Sequence, residues 1–274
     1  MLTRLNEHRV PKPWGRTRLP ECFGSSNGAR LGEIWFQRDG DSEDALLVKY
    51  LFTSERLSVQ VHPDDDAAAA AGHERGKDEA WLILDAEPGA EIAIGLKEQL
   101  SAETLRASAL DGSIVDRLDW RAVSRGDAFY SPAGTLHAIG AGLTLLEVQQ
   151  NADITYRFFD YGRDRELHLD EAVAAADTES SPARSVERPL GNGRSLLVQG
   201  PKFTVERWSA GHRRPRASKE APLWLINLGG CTLANGQLLD ECSVWIAEGD
   251  ADIEIDAGAE LLVAYEGPET RTLP

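Results

Sequence analysis

Residues 57–66 read LSVQVHPDDD. Alternate residues of an extended strand face the same side. Gln60 and His62 therefore share one face, and Val59 and Val61 the other. The valine face suits a core; the other carries an amide and an imidazole, which suit solvent or a site. Glu79 heads the apolar run EAWLIL, 17 residues after His62, and His137 follows a Pro-Ala-Gly turn in GDAFYSPAGTLHAIGAG. Two donors from one strand, a carboxylate from another and an imidazole from a later one make the ligand set of a barrel-interior metal site. Zinc takes such nitrogen and oxygen ligands in a tetrahedral or expanded shell. Singly, each residue has a plainer reading. A lone His is more often a surface or hydrogen-bonded residue, Glu79 alone a solvated strand-end carboxylate, and Gln60 alone a weak zinc ligand. The combination points to a metal. His8, His73, His168 and His212 lack such company and read as surface or core residues.

Around these residues, short alternating or β-branched runs recur: GEIWFQ, LLVKYLF, LSVQVH, AWLILDA, EIAIGL, DAFYSP, LTLLEVQQ and ITYRFFDY. Gly, Pro and Asp punctuate them, the pattern of a sandwich or barrel. One stretch, LKEQLSAETLRASALDGSIVDRLDW, has apolar residues at helical spacing and Ser101 as a helix start. It reads as a helical insertion near 97–120. Residues 177–193, DTESSPARSVERPLGNG, read as a linker. Strands then resume to the end. The expected division is a metal-binding unit at 1–177 and a linker plus a second, metal-free unit at 178–274. The segments GDAFYSPAGTLHAIGAGLTLLEV and ECSVWIAEGDADIEIDAGAELLVAY share a rhythm, but only the first has a histidine.

The chain has 274 residues, 42% of them hydrophobic, enough for one large or two smaller β domains. Its formal charge of -16 disfavours nucleic acid and anionic membranes as partners. An anionic small substrate would need local Lys or Arg. Cys22, Cys231 and Cys242 form no CxxC pair and read as free thiols of a reducing compartment. The N-terminus lacks an apolar signal region, and no run is long enough for a membrane span. The expectation is a soluble cytoplasmic protein.

From Gly126 through Pro132 and Gly134 to His137 the spacing is G-x5-P-x-G-x2-H, which resembles the second signature of the cupin superfamily. Longer stretches resemble the type I mannose-6-phosphate isomerases, especially the short bacterial form: KPWG, GEIWF, LLVKYL, LSVQVHPDD, GKDEAWLILDAEPGA and GDAFYSPAGTLHAIGAGLTLLEVQQNADITYRFFDYGR. They cover most of the first 165 residues. The second half resembles the family's metal-free cupin mainly by position. The resemblance implies an all-β fold of two cupin jelly rolls with a small helical insertion in the first. It also implies one Zn2+ per chain on Gln60, His62, Glu79 and His137, and interconversion of mannose 6-phosphate and fructose 6-phosphate through an enediolate.

The family's active-site arginine matches Arg157, ten residues after Glu147, with Asp153 between them. Lys77, Ser58 and Lys49 match further family positions. The resemblance thus implies Arg157, Lys77, Glu147 and Asp153 as catalytic, and Ser58, Lys49, Lys77 and Arg157 as substrate-binding. The chain departs from some members at Gly76, where they carry His, and at Asp78, where they carry Pro. The chemistry leaves the general base open among Lys77, Glu147 and Asp153. Lys77 would serve if burial lowered its pKa. Asp153 is expected to orient Arg157 through a salt bridge, and Glu147 alternatively to partner His137 or Arg157. Trp14, Trp35 and Trp81 read as core, with Trp14 a candidate for the rim. Two other readings stay open: a non-catalytic cupin that binds a sugar phosphate, and another metal-cupin enzyme such as an oxygenase or a phosphoglucose isomerase. Oxygenases favour a His-rich open iron site, which Gln60 does not suit.

Overall fold

The computed structural model describes residues 1–40, 44–179 and 184–271. Its strands form four antiparallel sheets, paired into two jelly rolls. In the first, a seven-stranded sheet runs in spatial order Arg184–Ser185, Ala128–Ser131, Glu79–Ala86, Leu143–Gln150, Leu46–Phe52, Leu31–Gln37 and Asn6–Arg16. A five-stranded sheet faces it: Tyr156–Phe159, Val59–Val61, His137–Ile139, Glu91–Leu96 and Leu118–Ala122. In the second unit, a seven-stranded sheet centred on Leu223–Gly229 and Glu260–Glu266 faces a four-stranded one. Each unit borrows a strand. Leu2–Arg4 pairs with Val244–Ala247 of the second sheet, and Arg184–Ser185 pairs with Ala128–Ser131 of the first. Part of the expected linker, 180–183, lies outside the described residues.

The strand LTLLEVQQ shows why the barrels sit as they do. All of Leu143–Gln150 is buried, so both of its faces are covered. Leu146 and Val148 face outward into a core shared with Val205, Trp224, Ile226 and Leu262 of the second barrel. Leu145 faces inward with Leu51, Trp81, Ile83 and Phe129, which places Glu147 and Gln149 on the inner face as well. The two large sheets are therefore packed back to back, and the first barrel keeps its polar residues inside.

The valines of the opening strand bury against helices. Val59, Val61 and Phe158 form a core with Leu105, Ala109, Ile114 and Ala172. Helices Ala102–Asp111 and Ile114–Arg117 are the expected insertion, and Leu169–Ala175 adds a third. Ser101 caps the first, its hydroxyl accepting from the Thr104 N–H at 3.2 Å. Gly112 ends it in the left-handed region at φ 80°. No helix among the described residues is long and apolar enough to cross a membrane.

The expectation of three free thiols is corrected in part. Cys22 and Cys242 are joined by a disulfide between the two units, with Cα atoms 6.1 Å apart, while Cys231 is free and exposed. Sequence spacing could not show this pair, because it closes 220 residues of chain.

The second barrel gathers several of its buried polar groups around one carboxylate. Arg194 donates to both oxygens of Glu206 at 2.7 Å, and Trp208 Nε1 donates to the same carboxylate at 2.7 Å. Tyr265 donates its hydroxyl there too. Glu206 is fully buried. Glu206→Ala strands a buried guanidinium, an indole N–H and a phenol at once. It is expected to cost about 3–5 kcal/mol of unfolding free energy, read by denaturant titration; a loss under about 1 kcal/mol, the value of an exposed pair, would refute this structural role.

Candidate active site and metal centre

Two cross-strand rows build the site from opposite walls. On the five-stranded sheet, Gln60 lies opposite His137 on one side and Arg157 on the other. On the seven-stranded sheet, Glu147 lies opposite Lys49 and Trp81, and the next inward row pairs Gln149 with Glu79. Period-two alternation sends all of these side chains inward.

His62, Glu79 and His137 converge, each nearly inaccessible, with ligand atoms within 4.8 Å of one another. His62 Nδ1 donates to the Ile154 carbonyl and His137 Nδ1 to the Thr135 carbonyl, both at 2.9 Å. Those bonds fix the tautomers, so each Nε2 turns a lone pair to the centre. His62 Nε2 meets Glu79 Oε1 at 3.1 Å and His137 Nε2 meets Glu79 Oε2 at 3.5 Å. Between neutral imidazoles and a carboxylate there is no proton to share, and His62 Nε2 and Glu79 Oε2 are buried without hydrogen-bond partners. Buried lone pairs facing one another are costly unless something electropositive sits among them.

The protonation states agree. Burial, with the nearby Lys77 cation, pushes His62 down to about 3, and burial lowers His137 as well. Burial would favour the neutral acid at Glu79, but the Lys77 cation opposes it and the carboxyl is held well below its usual range. Two neutral imidazoles and an ionised carboxylate are the state a divalent ion requires. Gln60 is adjacent but placed differently: its Nε2 donates to His137 Nε2 at 3.2 Å.

Glycine and aspartate at 76 and 78 have local causes. A Cβ at Gly76 would lie 2.6 Å from the Pro63 carbonyl oxygen, so no side chain fits there. That close approach lets Lys77 N–H donate to Pro63 O at 3.0 Å, which ties the segment leading into Glu79 to the one that follows His62. The aspartates after His62 also find uses: Asp64 caps helix Asp65–Ala70 by accepting from the Ala67 N–H at 2.8 Å.

A cavity of about 170 Å³ adjoins the donors, lined by all six remaining expected residues: Lys49, Ser58, Lys77, Glu147, Asp153 and Arg157. A larger cleft of about 580 Å³, between residues 15–18 and 87–90, contains none of them; donor chemistry, not volume, selects the smaller one. Lys49 is buried: its Nζ donates to Gln149 Oε1 at 2.5 Å, lies 3.3 Å from Glu147 Oε1, and stands 4.6 Å over the Trp35 ring. Lys77 Nζ lies 3.0 Å from Glu79 Oε1. Burial favours its neutral form, but Glu79 and Glu147 outweigh that and raise it above its ordinary value. In the chain itself Lys77 is a cation rather than a partly neutral amine.

Two expected contacts are absent. Glu147 partners neither His137 nor Arg157; its oxygens meet Lys49 and, at 3.2 Å, the Trp81 indole N–H. Burial, then Glu79, raises its pKa. Asp153 is exposed at the cavity mouth, and among the described residues it makes no ion pair with Arg157. Arg157 instead donates from Nη1 to the Glu166 carbonyl at 2.7 Å, and its backbone N–H donates to His168 Nδ1 at 3.1 Å. His168 therefore supports Arg157 from behind, a role its sequence neighbourhood does not reveal. Trp14 is core, 3% exposed, and also walls the cavity.

Two cations in the cavity wall escape the sequence reading. Lys12 lies in the KPWG stretch, 3.2 Å from Glu33 Oε1. Arg165 is held by both oxygens of Asp160, at 2.6 and 2.7 Å. The density of arginines at 157, 163 and 165 is the available signal for the latter.

No protein-family model matches the chain. A mannose-6-phosphate isomerase of Streptococcus mutans is 38% identical over 200 residues, 68% of this chain and 63% of the relative. A probable mannose-6-phosphate isomerase of Bacillus subtilis is 34% identical over 242 residues, 81% of this chain and 68% of the relative. The aligned part of the chain thus spans just under two thirds of the length of the first of these. The crystal structure of the mannose 6-phosphate isomerase from Bacillus subtilis superposes with a TM-score of 0.82 at 28% identity, covering 96% of this chain and 99% of that one.

Proposed function

The chain belongs to the mannose-6-phosphate isomerase family, and on that footing we propose that it interconverts mannose 6-phosphate and fructose 6-phosphate. The observation that carries the reading is the convergence of His62, Glu79 and His137, in ligand-competent protonation states, beside a cation-lined cavity. The ligands are those three with Gln60, whose amide would have to present its oxygen. The donor set, nitrogen and oxygen without thiolate, suits one zinc per chain. When bound, the ion supplies Lewis acidity and a fixed point for the sugar oxygens.

The chain's own residues supply the rest. Moving a proton between C2 and C1 builds negative charge on two oxygens, and preplaced cations stabilise it. Lys77 and Lys49 are in place, each buried and paired with a carboxylate. Of the carboxylates that line the cavity, Glu147 from the barrel wall and Asp153 from the mouth are the ones for carbon-proton transfer. Arg157 and Arg165 line the same cavity with Ser58. Together they suit the phosphate of the substrate, for which Arg offers planar two-point hydrogen bonding. The substrate class also suits a cytoplasmic setting. The Cys22–Cys242 disulfide, which packs in the apolar interbarrel core, runs against that setting.

A coupled assay on mannose 6-phosphate, run beside glucose 6-phosphate, tests the proposal. Turnover of the mannose ester, abolished by a chelator and restored by zinc, is expected. Binding without turnover in zinc-loaded protein would leave a non-catalytic sugar-phosphate binder, and full activity without metal would end the metal-dependent reading.

A further inference from the structure

The segments that carry the donors share one polar network, and the second barrel closes it. Asp65, three residues after His62, accepts from Gly76 N–H at 2.8 Å and from Gln150 Nε2 at 3.0 Å with the same oxygen. Gln150 returns to the strand of Glu79: its Oε1 accepts from Asp78 N–H at 3.0 Å. Asp78 is buried, and its side chain accepts from Ala133 N–H at 2.9 Å, in the turn that leads to His137. Its other oxygen accepts the hydroxyl of Tyr130.

Both aspartates are reached by one turn of the second barrel, 200–203. Lys202 Nζ donates to Asp65 Oδ2 at 2.5 Å. The Tyr130 ring packs on Phe203 with centroids 5.4 Å apart and occupies the space a Cβ at Gly200 would need. We infer that this turn positions the metal donors of the first barrel, through Lys202 to Asp65 and through Tyr130 to Asp78. The inference rests on the metal reading proposed above. It gives the second barrel a role in the chemistry of the first. The donors come from strands far apart in sequence, and loss of a positioning partner typically costs about 10–100-fold in metal affinity.

The test titrates the full-length, metal-free protein with Co2+, following its visible absorption and competing it against a chelating dye. Lys202→Met and Tyr130→Phe are each expected to weaken Co2+ binding about tenfold or more and to change the absorption bands. Lys202→Arg, which keeps the ion pair, retains wild-type values. Because the Lys202 pair is partly exposed, metal-free Lys202→Met should unfold at nearly the wild-type temperature. Wild-type affinity and spectrum in both variants, or a fall in metal-free stability alone, would overturn the inference while leaving the metal centre standing. Failure of the unmodified protein to take up Co2+ would instead overturn the metal reading itself.

Discussion

His62→Ala loses its metal and its turnover together. The imidazole is 2% exposed and its Nδ1 is held by the Ile154 carbonyl, so it is a built part of the donor cluster. Removing it deletes one of two neutral nitrogen donors, and Glu79 with His137 alone leaves a two-residue remnant plus the Gln60 amide. The activity loss should exceed the roughly 10–100-fold cost of disturbing a supporting residue. The fold survives. The Ile154 carbonyl loses a partner and a small cavity opens, together costing about 1–3 kcal/mol, against roughly 5–15 kcal/mol for a typical domain. The measurement is metal content per chain by atomic emission, with circular dichroism to confirm folding and the coupled assay for turnover. A variant that stays fully zinc-loaded removes His62 from the ligand set.

Much of the fold and the site is legible in the sequence, and the reason is periodicity. Two-residue alternation in LSVQVH puts Gln60 and His62 on one face, which the structure turns inward, and His137 after the Pro-Ala-Gly turn meets them there. The helix after Ser101 announces itself through its cap and spacing. What stays hidden depends on contacts across long separations. The strand Leu2–Arg4 joins a sheet whose partner strand begins at Val244, and Cys22 meets Cys242 for the same topological reason. Spacing alone makes Glu147 a partner for His137 or Arg157, because it carries no information on sheet register. Register sets Glu147 opposite Lys49 and Trp81. Asp78 is the sharpest case: its neighbours Lys77 and Glu79 point into the site, so alternation turns Asp78 away, toward Tyr130 and the second barrel.

Arg157→Ala keeps the metal and loses most of its catalytic efficiency, kcat/KM. The register places Arg157 opposite Gln60, and Gln60 opposite His137. Arg157 is thus two strand spacings from His137, about 10 Å at the backbone. That is too far to ligate beside His137 and close enough to hold a hexose phosphate lying between them. Its guanidinium has an unpartnered Nε and, among the described residues, no carboxylate within ion-pair reach, while burial and the neighbouring Arg165 disfavour its charge. An arginine so placed gains most from an incoming anion. Loss of one such preplaced donor costs about 10²–10³-fold when it acts on charge that develops in the transition state. Contact with the phosphate alone would act on ground and transition states alike, raising KM while kcat holds. Its place in the cavity wall beside Arg165 favours the second pattern, with a fall of about 10–100-fold in kcat/KM, the worth of a charge-assisted hydrogen bond. Arg157→Lys keeps the charge but not the planar fork and should recover only part of it. Zinc content equal to wild type, with kcat/KM down and KM up, supports the assignment. Unchanged kinetics would strip Arg157 of its role, and lost zinc would mean that it braces the metal centre rather than the substrate.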